Sequence, residues 1–357
     1  MAAATLVVLL VVPVAWASFF LVAAGVHESL AYDFREAYLP AAEAVREGRS
    51  PYPAIDDPSL DAETAYVYPP LLAYALIPFA ALSENAAAVV AAVVAITALL
   101  GTLLLVGVRD WRCYGAALVW APTLNAIHMA SSSVLLALGA ALAWRYRAMV
   151  WPLAAAVGIS IALKLVLWPL LVWTLVTRRL QATGGAVLVA ACVTFAVWSV
   201  LGFEGMGRYP ELLRELARLN ADESYSLVGA LAAGGLDGTV ARVVAGAMAA
   251  ALLIGCWLFG RRGDDVRSFT CALAAGLAFT PILWQHYLVL LLVPLGIALP
   301  RFSLIWLLPA LLWIAPREDN GSTLVTMLPV FVAAAIIAFV LSPSRDASVS
   351  PVAAGSP

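Results

Sequence analysis

Long apolar runs separated by short clusters of arginine make up most of the chain, and their alternation predicts the architecture. The runs show no period-two alternation, so they read as membrane-crossing helices, each needing about 20 residues for a hydrocarbon core of roughly 30 Å. Strands of a membrane barrel would be shorter and would alternate. The first run is 4–24; a short segment, 69–82, opens with Pro69-Pro70; a long helix follows at about 86–107. Beyond it, arginines punctuate the chain: Arg109 and Arg112, Arg145 and Arg147, Arg178 and Arg179, Arg261, Arg262 and Arg267, Arg301, and Arg345. If these clusters share the cytoplasmic side, each interval between them crosses an even number of times. Five helical hairpins result, at 113–144, 149–176, 182–259, 268–300 and 302–341.

Run lengths agree with hairpins. The 28 residues of 149–176 would form a single helix about 42 Å long, more than one span needs. Gly158 and Pro169 interrupt that run, His128 and Ser131-Ser132-Ser133 interrupt 113–144, and Pro281 with Trp284-Gln285-His286 interrupts 268–300. The expectation is about 11 to 13 spans. Parity makes the 69–82 segment decisive. With a cytoplasmic N-terminus it is not a full crossing or one hairpin is miscounted; with an external N-terminus the 27–65 loop becomes cytoplasmic. Two segments carry one-sided apolar patterns expected of interfacial helices. One is 34–47, with Phe34, Tyr38, Ala41, Ala42 and Val45 together; the other is 209–219, with Leu212, Leu213, Leu216 and Leu219 opposite Glu211, Arg214, Glu215 and Arg218.

Composition settles the class as all-α and integral to the membrane. Hydrophobic residues are 64% and charged residues 12%, with mean hydropathy +0.95, against about half and a quarter in soluble domains. The net charge of −2 implies nothing about partners; no basic block suggests nucleic acid, and none is expected. Cys113, Cys192, Cys256 and Cys271 are scattered without metal spacing and read as small buried hydrophobes. The first run lacks a basic leader, which reads as an uncleaved span. No phosphate loop, dinucleotide fingerprint, nucleophile triad or metal helix is present. The acids are too dispersed for a two-metal site and no cofactor is expected, with a divalent metal left open. The sequence leaves the oligomeric state open.

Candidate chemistry gathers at the hairpin tips. The loop 27–65 holds nine of the 22 acidic residues, and Asp33 follows the first span closely enough to lie at the membrane–water boundary. Lys164 is the only lysine, inside Ala162-Leu163-Lys164-Leu165-Val166-Leu167-Trp168-Pro169. Charges within a membrane cost roughly 2.5–3.5 kcal/mol on insertion scales and usually face a cavity or a partner. Lys164 therefore either snorkels to the headgroups or serves as a cation for a lipid phosphate. His286 and His128 stand at the other tips. Tyr66 and Tyr68 read either as interfacial belt residues or as sugar platforms.

These motifs, taken in order, resemble a known family. Asp33-Phe34 with Tyr38, then Gly48-Arg49-Ser50-Pro51-Tyr52, then Tyr66-Val67-Tyr68-Pro69-Pro70-Leu71, then Lys164 before Trp168-Pro169, and Pro281 before Trp284-Gln285-His286-Tyr287 look like the polyprenyl-phosphate-mannose-dependent mannosyltransferases of glycosyltransferase family 87. The resemblance covers nearly the whole chain. It implies a single GT-C-type domain over 1–341, with extracytoplasmic loops at 27–65 and 203–225 and a short disordered cytoplasmic tail at 342–357. It also implies a multi-pass plasma-membrane enzyme with an outward site and an α-1,2-mannosyl product made with inversion. The donor would be a polyprenyl-phosphate-linked sugar, and the acceptor a glycan or glycolipid. Asp33 matches the general base. Lys164, His286, Gln285, Tyr38, Tyr68 and His128 are assigned to the donor phosphate and substrate cavity. One departure stands out: the family's Gly-Gln-x-Asn turn is Ala130-Ser131-Ser132-Ser133 here, which puts amide contacts to sugar or acceptor in doubt. The rival reading is a transporter or lipid flippase, which predicts inverted repeats and polar residues near the bilayer midplane.

Overall fold

The computed structural model describes residues 2–60, 64–220, 224–315 and 323–342. Those residues form helices and no strands. Helix α1 (Ala4–Val26) is a single apolar span that is only lightly packed. Pro13 lacks an amide hydrogen and frees the Leu9 carbonyl, and Gly115 comes so close to that oxygen that a Cβ would overlap it. After α1 come a π turn at Phe34–Tyr38 and α2 (Leu39–Arg46), then α3 (Pro70–Leu76), a 3-10 turn at Ile77–Ala81, and α4 (Glu84–Leu105).

The five hairpins follow. The first holds α5 (Trp111–Val119), α6 (Ala121–His128) and α7 (Ser132–Arg145), with a 115° bend between α6 and α7. The second holds α8 (Val150–Leu163) and α9 (Leu170–Val176), separated by Lys164 and a 3-10 turn. The third is α10 (Leu180–Val200), α11 (Tyr209–Leu219), α12 (Leu227–Ala233) and α13 (Gly238–Arg261). The fourth is α14 (Asp265–Phe279), a 3-10 segment at Gln285–Leu291 and α15 (Leu292–Ala298). The fifth pairs a 3-10 segment at Leu304–Ile314 with α16 (Thr323–Leu341).

Side-chain bonds fix which ends meet. Arg179 donates to the Arg147 carbonyl at 2.8 Å, and both arginines pair with Asp265, at 2.7 and 3.3 Å. Asp110 accepts from the Phe302 amide at 2.9 Å, and Arg267 donates to the Ser342 carbonyl at 2.8 Å. Each hairpin therefore starts and finishes at one end of the bundle, the arginine end. The tips of the first four lie at the other. Arg35 pairs with Glu84 and Arg46 donates to the Ala80 carbonyl at 2.8 Å, so the segment 69–82 begins and ends at the tip end. It is not a crossing, which satisfies the parity condition for an N-terminus at the arginine end. The described chain passes between the ends once in α1, once in α4 and twice in each hairpin, within the expected count. Four helices, α1, α4, α10 and α13, are long and apolar enough to span alone. The remaining passages are built from shorter helices in series.

Several details differ from the sequence pattern. The 34–47 segment is buried on more than one face, including Phe34, Ala37, Leu39, Ala44 and Val45, because α3 and the start of α4 cover it. Cys192 is exposed on the outside of α10, whereas the other three cysteines are buried. Tyr66 is buried and is not a belt residue; Trp173 lies in the core, its indole donating to Asp265 at 2.7 Å. The expected tail beyond Ser342 lies outside the described residues, as do Ala221–Glu223 of the second loop.

Candidate active site

The tips meet around a cavity of about 280 Å³. Asp33 reaches it because the chain turns sharply after α1. Ala31 adopts a left-handed backbone, φ 61°, and donates its amide to the His128 carbonyl at 2.6 Å. Ala130, just beyond His128, is also left-handed, φ 48°. Such a conformation costs a non-glycine residue roughly 1–2 kcal/mol. The family's glycine at the position of Ala130 thus has a conformational reason. Ser131 then caps α7, its hydroxyl accepting from the Ser133 amide at 3.3 Å. The serines take the place of the amide side chains at this turn.

Six of the seven sequence-assigned residues line the cavity: Asp33, Tyr38, Tyr68, His128, Gln285 and His286. Tyr38 is fully buried, shares the cavity wall with Asp33, and makes a long 3.5 Å contact with the Ser132 amide. Its ring meets Tyr68 edge-on at 5.1 Å. Gln285 spends its amide N–H on the Leu312 carbonyl at 2.9 Å, which leaves its oxygen for the cavity. His286 stacks on Tyr287, and its Nε2 is buried with no hydrogen-bond partner among the described residues.

Lys164 stands one layer back. Its Nζ lies 4.3 Å from the centre of the Tyr68 ring and 4.0 Å from that of Tyr287, sandwiched between them. That nitrogen is buried and has no hydrogen-bond partner among the described residues, so the side chain does not snorkel. Cation–π contacts of this kind are worth about 2 kcal/mol when desolvated, less than full hydration of an ammonium. The break at Lys164 is held against α14 by a close backbone approach: a Cβ on Gly276 would stand 2.2 Å from the Val166 carbonyl oxygen.

Asp33 opens on the cavity yet is packed deeply enough that burial pushes its carboxyl up to about 7, against the opposing pull of Lys164 and Tyr38. A carboxylate with that value is poised to take a proton near neutral pH.

Residues not singled out from sequence complete the walls. Asn125 precedes His128 by three residues and shares its helical face, a spacing that was available in the sequence. Leu216 comes from α11 and Asn220 from the residue that ends it; the pattern marked this helix as interfacial but not as a cavity wall. Trp284 and Tyr225 close the side toward α12. Tyr225 also borders a second cavity of about 280 Å³, otherwise lined by apolar side chains of α12, α13, α14 and α16 and by Leu283 and Leu288. Only Leu283 separates this groove, along the chain, from Trp284, Gln285 and His286. Among the described residues no group of three His, Cys, Asp or Glu side chains converges as a metal site.

Residues 66–283 match the family model of glycosyltransferase family 87. The match includes Tyr68, His128 and Lys164; it begins after Asp33 and Tyr38 and stops before Gln285 and His286. No curated protein and no solved structure matches the chain.

Proposed function

We propose a donor, an acceptor class and a mechanism from one premise: the chain belongs to glycosyltransferase family 87 and is a membrane glycosyltransferase. The reaction moves a hexose, mannose first among candidates, from a polyprenyl phosphate to a hydroxyl of a glycan or glycolipid on the outer face of the plasma membrane. The observation that carries this reading is the meeting of Asp33, with its raised pKa, and His286, with its unpartnered buried Nε2, on one small cavity, with the unpartnered Lys164 Nζ one layer behind the Tyr68 ring that lines it. The apolar groove that shares Tyr225 with that cavity supports a lipid-borne donor.

A sugar hydroxyl is a poor nucleophile. Asp33 accepts its proton as the oxygen attacks the anomeric carbon, and Tyr38 holds the carboxylate in place. One carboxylate and one displacement invert the anomeric centre. The leaving phosphate gathers negative charge as the glycosidic bond breaks. His286 donates to it from the wall, and Lys164 acts as a fixed charge from behind the Tyr68 ring, where low dielectric strengthens its field. Gln285 and His128 orient the sugar hydroxyls. No metal or cofactor is required by this scheme.

The test is to incubate membranes containing the protein with radiolabelled polyprenyl-phosphate-mannose and follow label into glycolipid and polymer. Protein-dependent transfer is the expected result. Transfer from a sugar nucleotide with the polyprenyl pool removed, and none from the lipid donor, would overturn the reading.

A further inference from the structure

The arginine end carries a cavity of about 630 Å³ that the reaction does not use. It lies between the turn joining α9 to α10 and the last turn of α13, and Arg178, Arg179 and Arg261 line it. Asp265 is the carboxylate in its wall, and it is already engaged by Arg179 at 2.7 Å, Arg147 at 3.3 Å and the Trp173 indole at 2.7 Å. Arg179 in turn spends its other donors on Thr177 and the Arg147 carbonyl. Arg178 and Arg261 are left over. Among the described residues neither guanidinium makes a hydrogen bond or an ion pair, and that of Arg261 only lies over the Trp257 ring at 4.9 Å. The cavity therefore holds a net positive charge with two uncommitted guanidinium groups facing it. Helix α10 also starts from its wall, and no side chain caps that first turn, so its amide dipoles add to the positive potential.

The surroundings indicate where a matching anion comes from. Leu180, Trp257 and Leu258 border the arginines and are 62%, 44% and 40% exposed. They sit on α10 and α13, two of the helices long enough to span a membrane. Uncommitted cations beside an exposed apolar flank match a headgroup phosphate with its acyl chains running along the helices. We propose that this cavity binds the phosphate of an anionic phospholipid headgroup, with Arg178 and Arg261 as its ligands. Guanidinium suits the role because it pairs with phosphate through two parallel N–H groups.

The experiment places the full chain in nanodiscs of phosphatidylcholine, with and without a minor fraction of phosphatidylglycerol, and measures retained lipid by native mass spectrometry together with thermal melting. The protein is expected to retain phosphatidylglycerol selectively and to melt higher in its presence. Replacing both ligands (Arg178→Gln with Arg261→Gln) is expected to weaken that retention about thirtyfold, from the typical attraction of each arginine to an anionic surface. The pair Arg262→Gln and Arg301→Gln removes equal charge from the same end and is expected to leave retention intact. Helical circular dichroism and monodisperse elution of both variants show that they fold. Absent selectivity in the wild type, or equal loss in the two double variants, overturns the proposal. Stabilisation by inorganic phosphate in pure phosphatidylcholine discs, without phosphatidylglycerol selectivity, assigns the cavity to a soluble anion and overturns the lipid source.

Discussion

Asp33 is held between opposing demands, and its behaviour with pH follows from them. Burial raises its pKa to about 7 in the folded state, against 3.8 for an unburied aspartate. As a base it must be ionised, so kcat/KM is expected to rise with pH up to about 7 and level off above. Stability has the opposite sign. The folded chain holds this proton more tightly than the unfolded chain, so stability falls as pH rises from about 4 to about 7 on this group's account. Asp33→Asn is therefore expected to melt higher than the wild type above pH 7 and alike near pH 4; a melting curve that is lower at every pH would refute the burial argument. A smaller effect belongs to Ala130. Its left-handed backbone makes Ala130→Gly neutral to about 1 kcal/mol stabilising, readable by thermal melting. At this scale the sequence exposed Asp33 by position and Lys164 by being the sole lysine. It did not expose Asn220, because α11 reads as a surface helix until its C-terminal end is seen inside the cavity wall.

The helical elements do their positioning through interruptions. Lys164, His128 and His286 each occupy or adjoin the break at a hairpin tip, and each break has a physical cause: a left-handed residue after His128, the start of a 3-10 turn after Lys164, a 3-10 segment at His286. Gly276 lets α14 touch the Lys164 break. Gly276→Ala drives a methyl group into the Val166 carbonyl oxygen, and the expected cost is about 1–3 kcal/mol of stability with a loss of turnover as Lys164 shifts. Normal melting and turnover would show that the break tolerates movement. The apolar groove gives a further test. Ala334 lines it and is exposed, so Ala334→Trp fills space without disturbing the core. KM for a long-chain polyprenyl donor is expected to rise about tenfold, with a two-isoprene donor unaffected. Apolar run lengths and arginine spacing made the hairpins legible. The groove was not legible, since it arises where four distant helices leave a gap rather than from any local pattern.

The whole molecule separates two chemistries along its axis. The arginine clusters between the hairpins, with Asp110, Asp264 and Asp265 as their carboxylate partners, gather at one end, and the cavity with its aromatic and titratable side chains lies at the other. Arginine counting alone left the side of the 27–65 loop open, because parity depended on a segment of ambiguous length. The contacts of Arg35 with Glu84 and Arg46 with Ala80 return 69–82 to the end it left, which puts the 27–65 loop at the end opposite the hairpin arginine clusters. Membership of glycosyltransferase family 87 removes the transporter alternative. The account stands most directly on one measurement: single-turnover transfer of labelled mannose from polyprenyl phosphate by purified wild type and Asp33→Asn, with donor binding measured in parallel. A fall in transfer of about 10²- to 10⁴-fold with donor binding retained is the expected result. Near-normal transfer by Asp33→Asn would contradict the assignment of this carboxylate as the base.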